Sequence, residues 1–454
     1  MAPTVHSFFA GFEPLDLIDQ FPERYPGLLE SGAAGAGARY DILPIVTGEH
    51  LRLDADGGLT GPHAGQSGFL SALESWWQTL RPSASADALR APQPPFPFTG
   101  GWLLYLGYEL ASEIESCLGA PRSSDPMVAL ALRAPAAWMR NRQSGEAWLY
   151  SEAGYEGLLD EFKRRVATLR PTAPVTDTVF QIEEEDPEKF LAAVRRALEY
   201  TAAGDVYQTN LSRQWQALAL TPVSPVAIYK RLRAANPSPF AALLRQGDFA
   251  LLCSSPERLV RVHGDRVSTR PIAGTRPRGA SAAEDERLVR SLLDNEKERA
   301  EHVMLIDLER NDLGRVCAGG SVEVDEFMSV ESYAHVHHIV SNVSGRLRSG
   351  ASPIDVIRAL FPGGTITGCP KIRTMQVIAE LEGCARGAYT GSIGYLNRDG
   401  SCDLNILIRT LTAQGNTVNF RAGAGIVADS IPEQELAETR AKAEGLLRAL
   451  AVRP

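Results

Sequence analysis

One stretch of the sequence combines residue types that could bind an anionic substrate. Residues 270–279 (RPIAGTRPRG) hold three arginines, two prolines and two glycines. Glycine lets a backbone approach a ligand closely, proline restricts the chain, and arginine offers a two-pronged donor to carboxylates. Because this composition is unfavourable for a helix or a regular strand, it predicts an anion-binding turn. An ordinary solvated basic loop is the alternative.

Two pairs of glutamates follow, each with a spacing of three residues. Glu298 and Glu301 lie in a segment rich in helix formers at 294–313, and Glu435 and Glu438 lie in a helical segment near the C-terminus. Residues three apart on a helix share a face, with Cβ atoms about 5–6 Å apart. Mg²⁺ prefers oxygen ligands and binds through one or two carboxylates plus water and substrate. The pairs predict a magnesium site facing the anion-binding turn, with surface charge on two helices as the alternative.

The bulk composition restricts the class of protein. The chain has 454 residues, 44% hydrophobic and 22% charged, with a formal net charge of −9. It has no basic stripe, no apolar run long enough to cross a bilayer and no signal-peptide pattern. Its six cysteines lack Cys-x-x-Cys spacing, which is typical of reduced thiols. We therefore expect a cytoplasmic protein that binds neither nucleic acid nor membrane.

Two changes in composition divide the chain. Residues 81–97 are rich in proline, alanine and serine, and residues 170–174 precede an acidic run at 183–186. These features predict an exposed loop and a linker. We expect an N-terminal region over residues 1–170 and a second region over residues 186–454, interleaved in one globular unit.

The second region mixes helical and strand patterns. A capping box at 430–433 predicts the start of the last helix. Before it, strand patterns at 390–396, 403–412 and 417–422 are joined by short connections that contain glycine and asparagine. Such connections are typical of hairpins, so we expect an α+β fold with mostly antiparallel sheets.

Six stretches of this region, in one order, resemble the chorismate-utilising enzymes. They are PIAGT (271–275), KERAEH (297–302), DLERNDLGR (307–315), VHHIVS (336–341), FPGGTITGCPK (361–371) and AGAGIVADS (422–430). The resemblance implies the anthranilate synthase component I-like fold, a sandwich of mostly antiparallel sheets flanked by helices.

The resemblance also implies roles for individual residues. Glu301 and Glu438 match magnesium ligands, with Glu298 and Glu435 as their companions. Glu257 matches the acid that helps the C4 hydroxyl of chorismate to leave. Further residues match the catalytic and substrate-binding positions around the ring and its carboxylates: Thr275, His338, Gln208, Ala273, Gly274, Thr365, Lys371, Tyr389, Arg409 and Gly425.

Two positions bear on which branch of the family the chain resembles. Gln208 stands where the water-using branch has a lysine base, and glutamine cannot deprotonate water, so ammonia is the expected nucleophile. The stretches 39–42, 98–109 and 207–211 resemble aminodeoxychorismate synthase component I. Ala273, in contrast, replaces the lysine that well-known members of that branch use as a nucleophile.

We therefore expect amination of chorismate to 4-amino-4-deoxychorismate without a lysyl adduct, on the route to p-aminobenzoate and folate. Anthranilate synthase component I is the alternative, since anthranilate synthases also have alanine at position 273. A non-catalytic paralogue is a third possibility, which the presence of all four glutamates opposes.

The resemblance implies partners and a second ligand as well. The chain has no glutaminase nucleophile motif, so a separate glutamine amidotransferase subunit is expected to supply ammonia, and a separate lyase to release p-aminobenzoate. Residues 28–31 (LLES) resemble the tryptophan-binding element of the family. Tryptophan is therefore expected to bind at Leu29, Glu30, Ser31 and Arg39.

Overall fold

A computed structural model describes residues 3–8, 11–32, 39–82, 94–119, 123, 125–172, 178–333 and 336–451. Most of the predicted loop at 81–97, and residues 173–174 at the end of the predicted linker, lie outside the described residues. None of the helices in these ranges has the length and apolar character needed to cross a membrane.

The helices are mostly short to medium in length and lie between strands. They are α1 (Pro14–Gln20), α2 (Phe69–Leu80), α3 (Ala111–Ile114), α4 (Glu156–Thr168), α5 (Pro187–Ala202), α6 (Pro225–Ala235), α7 (Ala282–Leu293), α8 (Glu296–Gly314), α9 (Pro353–Leu360), α10 (Lys371–Glu382) and α11 (Pro432–Leu450). Single 3₁₀ turns lie at Tyr108–Leu110 and Gly364–Ile366.

The strands form two large sheets. They are β1 (Thr4–Ser7), β2 (Gly27–Glu30), β3 (Tyr40–Ile45), β4 (His50–Asp54), β5 (Leu59–Thr60), β6 (Gly101–Leu106), β7 (Met127–Ala134), β8 (Ala136–Asn141), β9 (Ala147–Ser151), β10 (Phe180–Glu184), β11 (Gln208–Ala219), β12 (Phe240–Gln246), β13 (Phe249–Ser255), β14 (Arg258–His263), β15 (Arg266–Arg270), β16 (Ile272–Pro277), β17 (Glu323–Ser332), β18 (Val336–Arg346), β19 (Gly368–Cys369), β20 (Ser392–Asn397), β21 (Cys402–Asn405), β22 (Thr410–Gln414) and β23 (Thr417–Ile426).

Both sheets contain strands from the beginning and from the end of the chain. Over the described residues, sheet I has the order β1-β9-β8-β3-β2-β12-β13-β22-β23-β11-β10, with β19 beside β11. Sheet II has the order β16-β18-β15-β14-β21-β20-β6-β7-β4-β5, with β17 beside β18. The contacts that join the early and late strands, β2 with β12 and β6 with β20, are antiparallel.

The alternation of side chains along the strands explains how the layers stack. In β6, Leu103 and Tyr105 enter the core between the two sheets, whereas Trp102 and Leu104 enter the core that sheet II shares with α2 and α9. The outer face of sheet I packs on α1, α4, α6 and α11. The expected α+β sandwich flanked by helices is confirmed.

Two local expectations in the second region are wrong. The predicted strand at 403–412 is divided into β21 and β22 by a break at which Arg409 has a positive φ of 51°. The predicted capping box at 430–433 does not form: α11 begins after Ile431 without a side-chain cap. The hydroxyl of Ser430 instead accepts a hydrogen bond from the backbone N–H of Val427 (3.1 Å).

Candidate active site

Glu257 occupies the turn between β13 and β14 and has a buried side chain. Burial raises the pKa of this carboxyl to about 7, while nearby Thr365, Lys442 and Arg409 act in the opposite direction. Its Oε1 has no hydrogen-bond partner among the described residues. A carboxyl of this kind holds a proton near neutral pH and can donate it to a bound molecule.

Arg409 lies beside this carboxyl at the break between β21 and β22. Its backbone carbonyl accepts a hydrogen bond from the N–H of Ser254 (3.1 Å), which anchors the break to the end of β13. Burial lowers the pKa of the guanidinium, and Glu257 opposes this effect. No described residue forms an ion pair or a hydrogen bond with the guanidinium. A half-buried cation that forms no direct ion pair with the protein is suited to an anionic ligand.

His338 and Thr275 face each other on β18 and β16. They are register partners, and the Thr275 hydroxyl lies 2.9 Å from His338 Nδ1. Burial and the charge of Arg409 lower the pKa of His338 to about 4, so its ring is neutral at pH 7. His338 Nε2 is buried without a partner among the described residues. The ring therefore offers a neutral polar group next to Arg409.

Gln208 and Tyr389 pack against strand β23. A side-chain Cβ on Gly425 would lie 2.5 Å from Gln208 Nε2, and one on Gly423 would lie 2.7 Å from the Tyr389 hydroxyl. Both side chains therefore pack directly on the backbone of β23, which only glycine permits. Lys442 Nζ donates to the carbonyl of Gly423 (3.0 Å). The charge of Lys442 also lowers the pKa of Glu257, so this lysine links β23 to Glu257.

The four glutamates predicted as magnesium ligands lie on two helices, α8 and α11. Glu298 on α8 reaches the backbone of Gly274, where an added Cβ would lie 2.7 Å from Oε2. Its Oε1 accepts from Arg276 (2.7 Å), while Oε2 is buried without a partner among the described residues. On α11, Glu435 is buried and Glu438 pairs with Lys442 (2.7 Å). Glu301 is half-buried.

These carboxylates do not form a closed metal cage. Across the described ranges, no group of three or more histidine, cysteine, aspartate or glutamate side chains is arranged to hold a metal ion. The donor chemistry nevertheless fits Mg²⁺, which needs only one or two carboxylates when substrate supplies further oxygens. The unpartnered Oε2 of Glu298 is the atom that a divalent cation would satisfy.

The arginines of residues 270–279 do not form the predicted anion-binding turn. Residues Ile272–Pro277 form strand β16, which pairs with β18 across an irregularity between Ala273 and Thr275. Gly274 has a φ of 64° at this bulge, which lets the strand continue. The three guanidinium groups bind protein carboxylates: Arg270 binds Glu326 and Glu331, Arg276 binds Glu298, and Arg278 binds Asp285.

Lys371 was predicted to bind a substrate carboxylate, but its contacts are within the protein. Its ammonium forms an ion pair with Asp312 and donates to the carbonyl of Leu360 (3.2 Å). The neighbouring Glu309 is also buried, and burial together with Asp312 raises the pKa of Glu309 to about 8. The charge of Lys371 thus compensates the buried acidic pair Glu309 and Asp312.

Sequence reasoning missed Lys442, which contacts the site directly. Lys442 lies four residues after Glu438, on the same helix face, and this spacing was the available signal. It missed Glu309 as well, because nothing in the sequence shows that this glutamate is buried.

The residues predicted to bind tryptophan line a separate large cavity. Leu29, Glu30, Ser31 and Arg39 border a cavity of about 1020 Å³ whose walls come from both sheets. The Glu30 carboxylate is already bound by Tyr229 (2.8 Å), Arg142 (3.0 Å) and Arg233 (3.2 Å). This cavity lies apart from the polar group around Glu257, since Glu257, His338, Tyr389 and Arg409 do not line it.

Comparison with known proteins agrees with this fold. A family model described as chorismate binding enzyme matches residues 31–448. The chain is 42% identical to aminodeoxychorismate synthase component 1 of Bacillus subtilis strain 168 over 444 residues, 93% of this chain and 91% of the relative. It is 51% identical to anthranilate synthase component 1 of Thermus thermophilus over 263 residues, 58% of this chain and 56% of the relative.

A solved structure has the same architecture over most of the chain. Anthranilate synthase component I from Streptococcus pneumoniae TIGR4 superposes with a TM-score of 0.79 at 32% identity, covering 90% of this chain and 92% of that one. The fold and the site thus define a chorismate-utilising type of enzyme. The chain belongs to the chorismate binding enzyme family.

Proposed function

We propose that this protein is the component of aminodeoxychorismate synthase that aminates chorismate. The observation that carries the proposal is the guanidinium of Arg409, which forms no ion pair or hydrogen bond with a described residue and lies beside the protonatable Glu257. Chorismate supplies what this pair requires, namely carboxylates for the cation and a C4 hydroxyl that leaves after protonation. The similarity to a synthase of this type along 93% of the chain supports the branch.

The chain's own residues supply the proton transfers of this reaction. Glu257 gives its proton to the C4 hydroxyl, the C4–O bond breaks and water leaves. Ammonia forms the C4–N bond, and the ammonium product returns one proton to Glu257. Gln208 does not act as a base in this sequence of steps, because ammonia is already a nucleophile. Tyr389 and Arg409 hold the pyruvyl carboxylate, and neutral His338 lies beside the ring.

Magnesium is part of the proposal. Glu298, Glu301, Glu435 and Glu438 would hold the ion. When bound, it supplies a Lewis acid for the ring carboxylate. Ammonia is proposed to come from a separate glutamine amidotransferase subunit, and a separate lyase would complete p-aminobenzoate formation.

Anthranilate formation is the second candidate, and two observations favour it. Position 273 is alanine, and the part of the chain that matches anthranilate synthase component 1 does so at 51% identity.

Product analysis separates the two reactions. The protein is incubated with chorismate, ammonium and Mg²⁺, with and without an added aminodeoxychorismate lyase, and the products are identified by mass. We expect 4-amino-4-deoxychorismate alone, and p-aminobenzoate only when the lyase is present. Anthranilate fluorescence without lyase would show that the second reaction is the correct one.

A further inference from the structure

Arg386, between α10 and β20, has a buried charged side chain without an assigned role. Its Nε and Nη2 bind the two carboxylate oxygens of Glu382 at 3.1 and 2.7 Å. Glu382 is buried too. Burial raises the pKa of its carboxyl, but the charges of Arg386 and Arg421 lower it, and the net result is a lowered pKa. The pair is therefore ionised in the core, where a charge is tolerated only when it is fully hydrogen-bonded.

The remaining donors of Arg386 reach three different chain segments. Nη2 donates to the carbonyl of Asn210 at 2.7 Å, and Nη1 donates to the carbonyl of Ile366 at 3.2 Å and to the hydroxyl of Thr390 at 3.3 Å. Each of these segments carries a residue of the proposed chorismate site. Gln208 precedes Asn210, Thr365 precedes Ile366, and Tyr389 precedes Thr390.

Thr390 has an unusual backbone conformation at this point. Its φ is 64°, which is disfavoured for a β-branched residue. The conformation is fixed by a hydrogen bond from Thr390 N–H to the carbonyl of Leu407 (2.8 Å) and by the contact of its hydroxyl with Arg386. Tyr389 belongs to the same turn. Its N–H donates to the carbonyl of Arg386 (3.1 Å), and the Arg386 guanidinium lies 5.5 Å from the centroid of the Tyr389 ring.

We propose that Arg386 is a positioning residue for chorismate. It joins β11, the turn at Gly364–Ile366 and the segment before β20, and so sets the Tyr389 hydroxyl against Gly423 where the pyruvyl carboxylate binds. This inference rests on the proposed role of Tyr389.

Arg421 provides a matched control. It is buried and binds the same carboxylate of Glu382 at 3.2 Å. Its other contacts are with Ser212 on β11 (3.0 and 3.3 Å) and with Cys384 (3.3 Å), so it bonds none of the three groups that Arg386 holds at Asn210, Ile366 and Thr390. A replacement at Arg421 disturbs the same buried charge network and leaves the bonds to Ile366 and Thr390 in place.

The test compares chorismate affinity in the full-length protein and three variants, Arg386→Lys, Arg421→Lys and Thr390→Gly. Chorismate is titrated by calorimetry with Mg²⁺ and without ammonium, so the identity of the aminated product does not enter. Lysine cannot bridge several acceptors as arginine does, so we expect Arg386→Lys to weaken binding about tenfold or more and Arg421→Lys to change it by about twofold at most. Both should lower the melting temperature similarly.

With ammonium added, the KM of Arg386→Lys should rise while kcat stays within about threefold.

Thr390→Gly tests the same contact if Arg386→Lys fails to fold. Glycine accepts the positive φ but loses the hydroxyl, so binding should weaken about threefold or more while the melting temperature is maintained. Unchanged chorismate binding in the folded Arg386→Lys variant, or in Thr390→Gly when Arg386→Lys does not fold, would overturn the inference, as would an equal loss in Arg421→Lys. Failure of the proposed amination would appear separately, in the product formed by the wild-type protein.

Discussion

At the scale of single residues, the site depends on one carboxyl and one cation kept close together in a buried setting. Burial raises the pKa of Glu257, and Arg409, Lys442 and Thr365 limit this rise. The resulting pKa of about 7 is close to that of an efficient acid at physiological pH.

The Glu257→Gln variant tests this role. Glutamine keeps the shape but cannot give up a proton, so we expect kcat to fall by about 10²–10⁴-fold with little change in KM. Because only protonated Glu257 is active, kcat/KM for chorismate of the wild type should decrease as the pH rises through about 7, and this decrease should be absent from the variant. The measurement is a pH profile of kcat/KM from pH 5.5 to 9.

Glu109 supplies the control, since burial also raises its pKa to about 7. Glu109→Gln should retain the alkaline decrease. The proposed acid would be wrong if Glu257→Gln kept both the rate and the decrease.

The same residue also predicts a change in stability. The folded state binds a proton at Glu257 up to about pH 7, whereas the unfolded chain releases it near 4.5, so Glu257 destabilises the fold as the pH rises between these values. Glu257→Gln should therefore be more stable than the wild type at pH 8, by up to about 3 kcal/mol, and similar at pH 4.5. Urea unfolding at both values measures this difference.

At the scale of helices and strands, the sequence indicates features that depend on neighbouring residues better than features that depend on distant ones. Helix α5 begins with Asp186 as its cap and Pro187 in its first turn, and such signals can be recognised in a sequence because they act within a few residues. Residues 270–279 were misjudged because their pairing with β18 depends on residues about 60 positions away. The break at Arg409 likewise results from contacts with β13 that no local pattern encodes.

The candidate site shows the same division. The resemblance assigns Glu257, His338, Tyr389 and Arg409 to one substrate site. In the structure Glu257 and His338 are buried, and the charge of Arg409 acts on the pKa of both. The partners that occupy Lys371 and the arginines of residues 270–279 could not be predicted, since charge pairing is decided by tertiary packing.

Glu298 on α8 leads to a prediction about the metal. Its Oε2 lies beside Gly274 without a partner among the described residues, and Glu298→Gln removes the carboxylate charge at this point. We expect the Mg²⁺ concentration for half-maximal turnover to rise about tenfold or more, because ligands and their close companions have effects of this size. Glu296→Gln, an exposed position in the first turn of the same helix, is the control and should leave the requirement unchanged. Identical magnesium curves for Glu298→Gln and the wild type would contradict the metal assignment.

At the scale of the whole molecule, the two regions distinguished by composition share both sheets. A fragment of residues 178–454 would lose β2 and β6 and so expose the edges of β12 and β20. Unpaired edges with one apolar face promote aggregation, so we expect this fragment to be insoluble or to lack a cooperative unfolding transition. Circular dichroism during heating checks this against the full-length chain. A soluble fragment that melts cooperatively would show that the second region is an independent domain.

The cavity of about 1020 Å³ is the other feature that depends on both sheets, and it carries the proposed tryptophan site. A ligand that binds only the folded state stabilises it by about 2.7 kcal/mol at 100 times its Kd, so saturating tryptophan should raise the melting temperature measurably. Arg39→Ala, at the wall of the cavity, should reduce this rise, and phenylalanine should produce less of it. Because Glu257, His338, Tyr389 and Arg409 do not line the cavity, turnover should be unaffected. Purified protein that contains no tryptophan and is not stabilised by it would exclude tryptophan as the occupant.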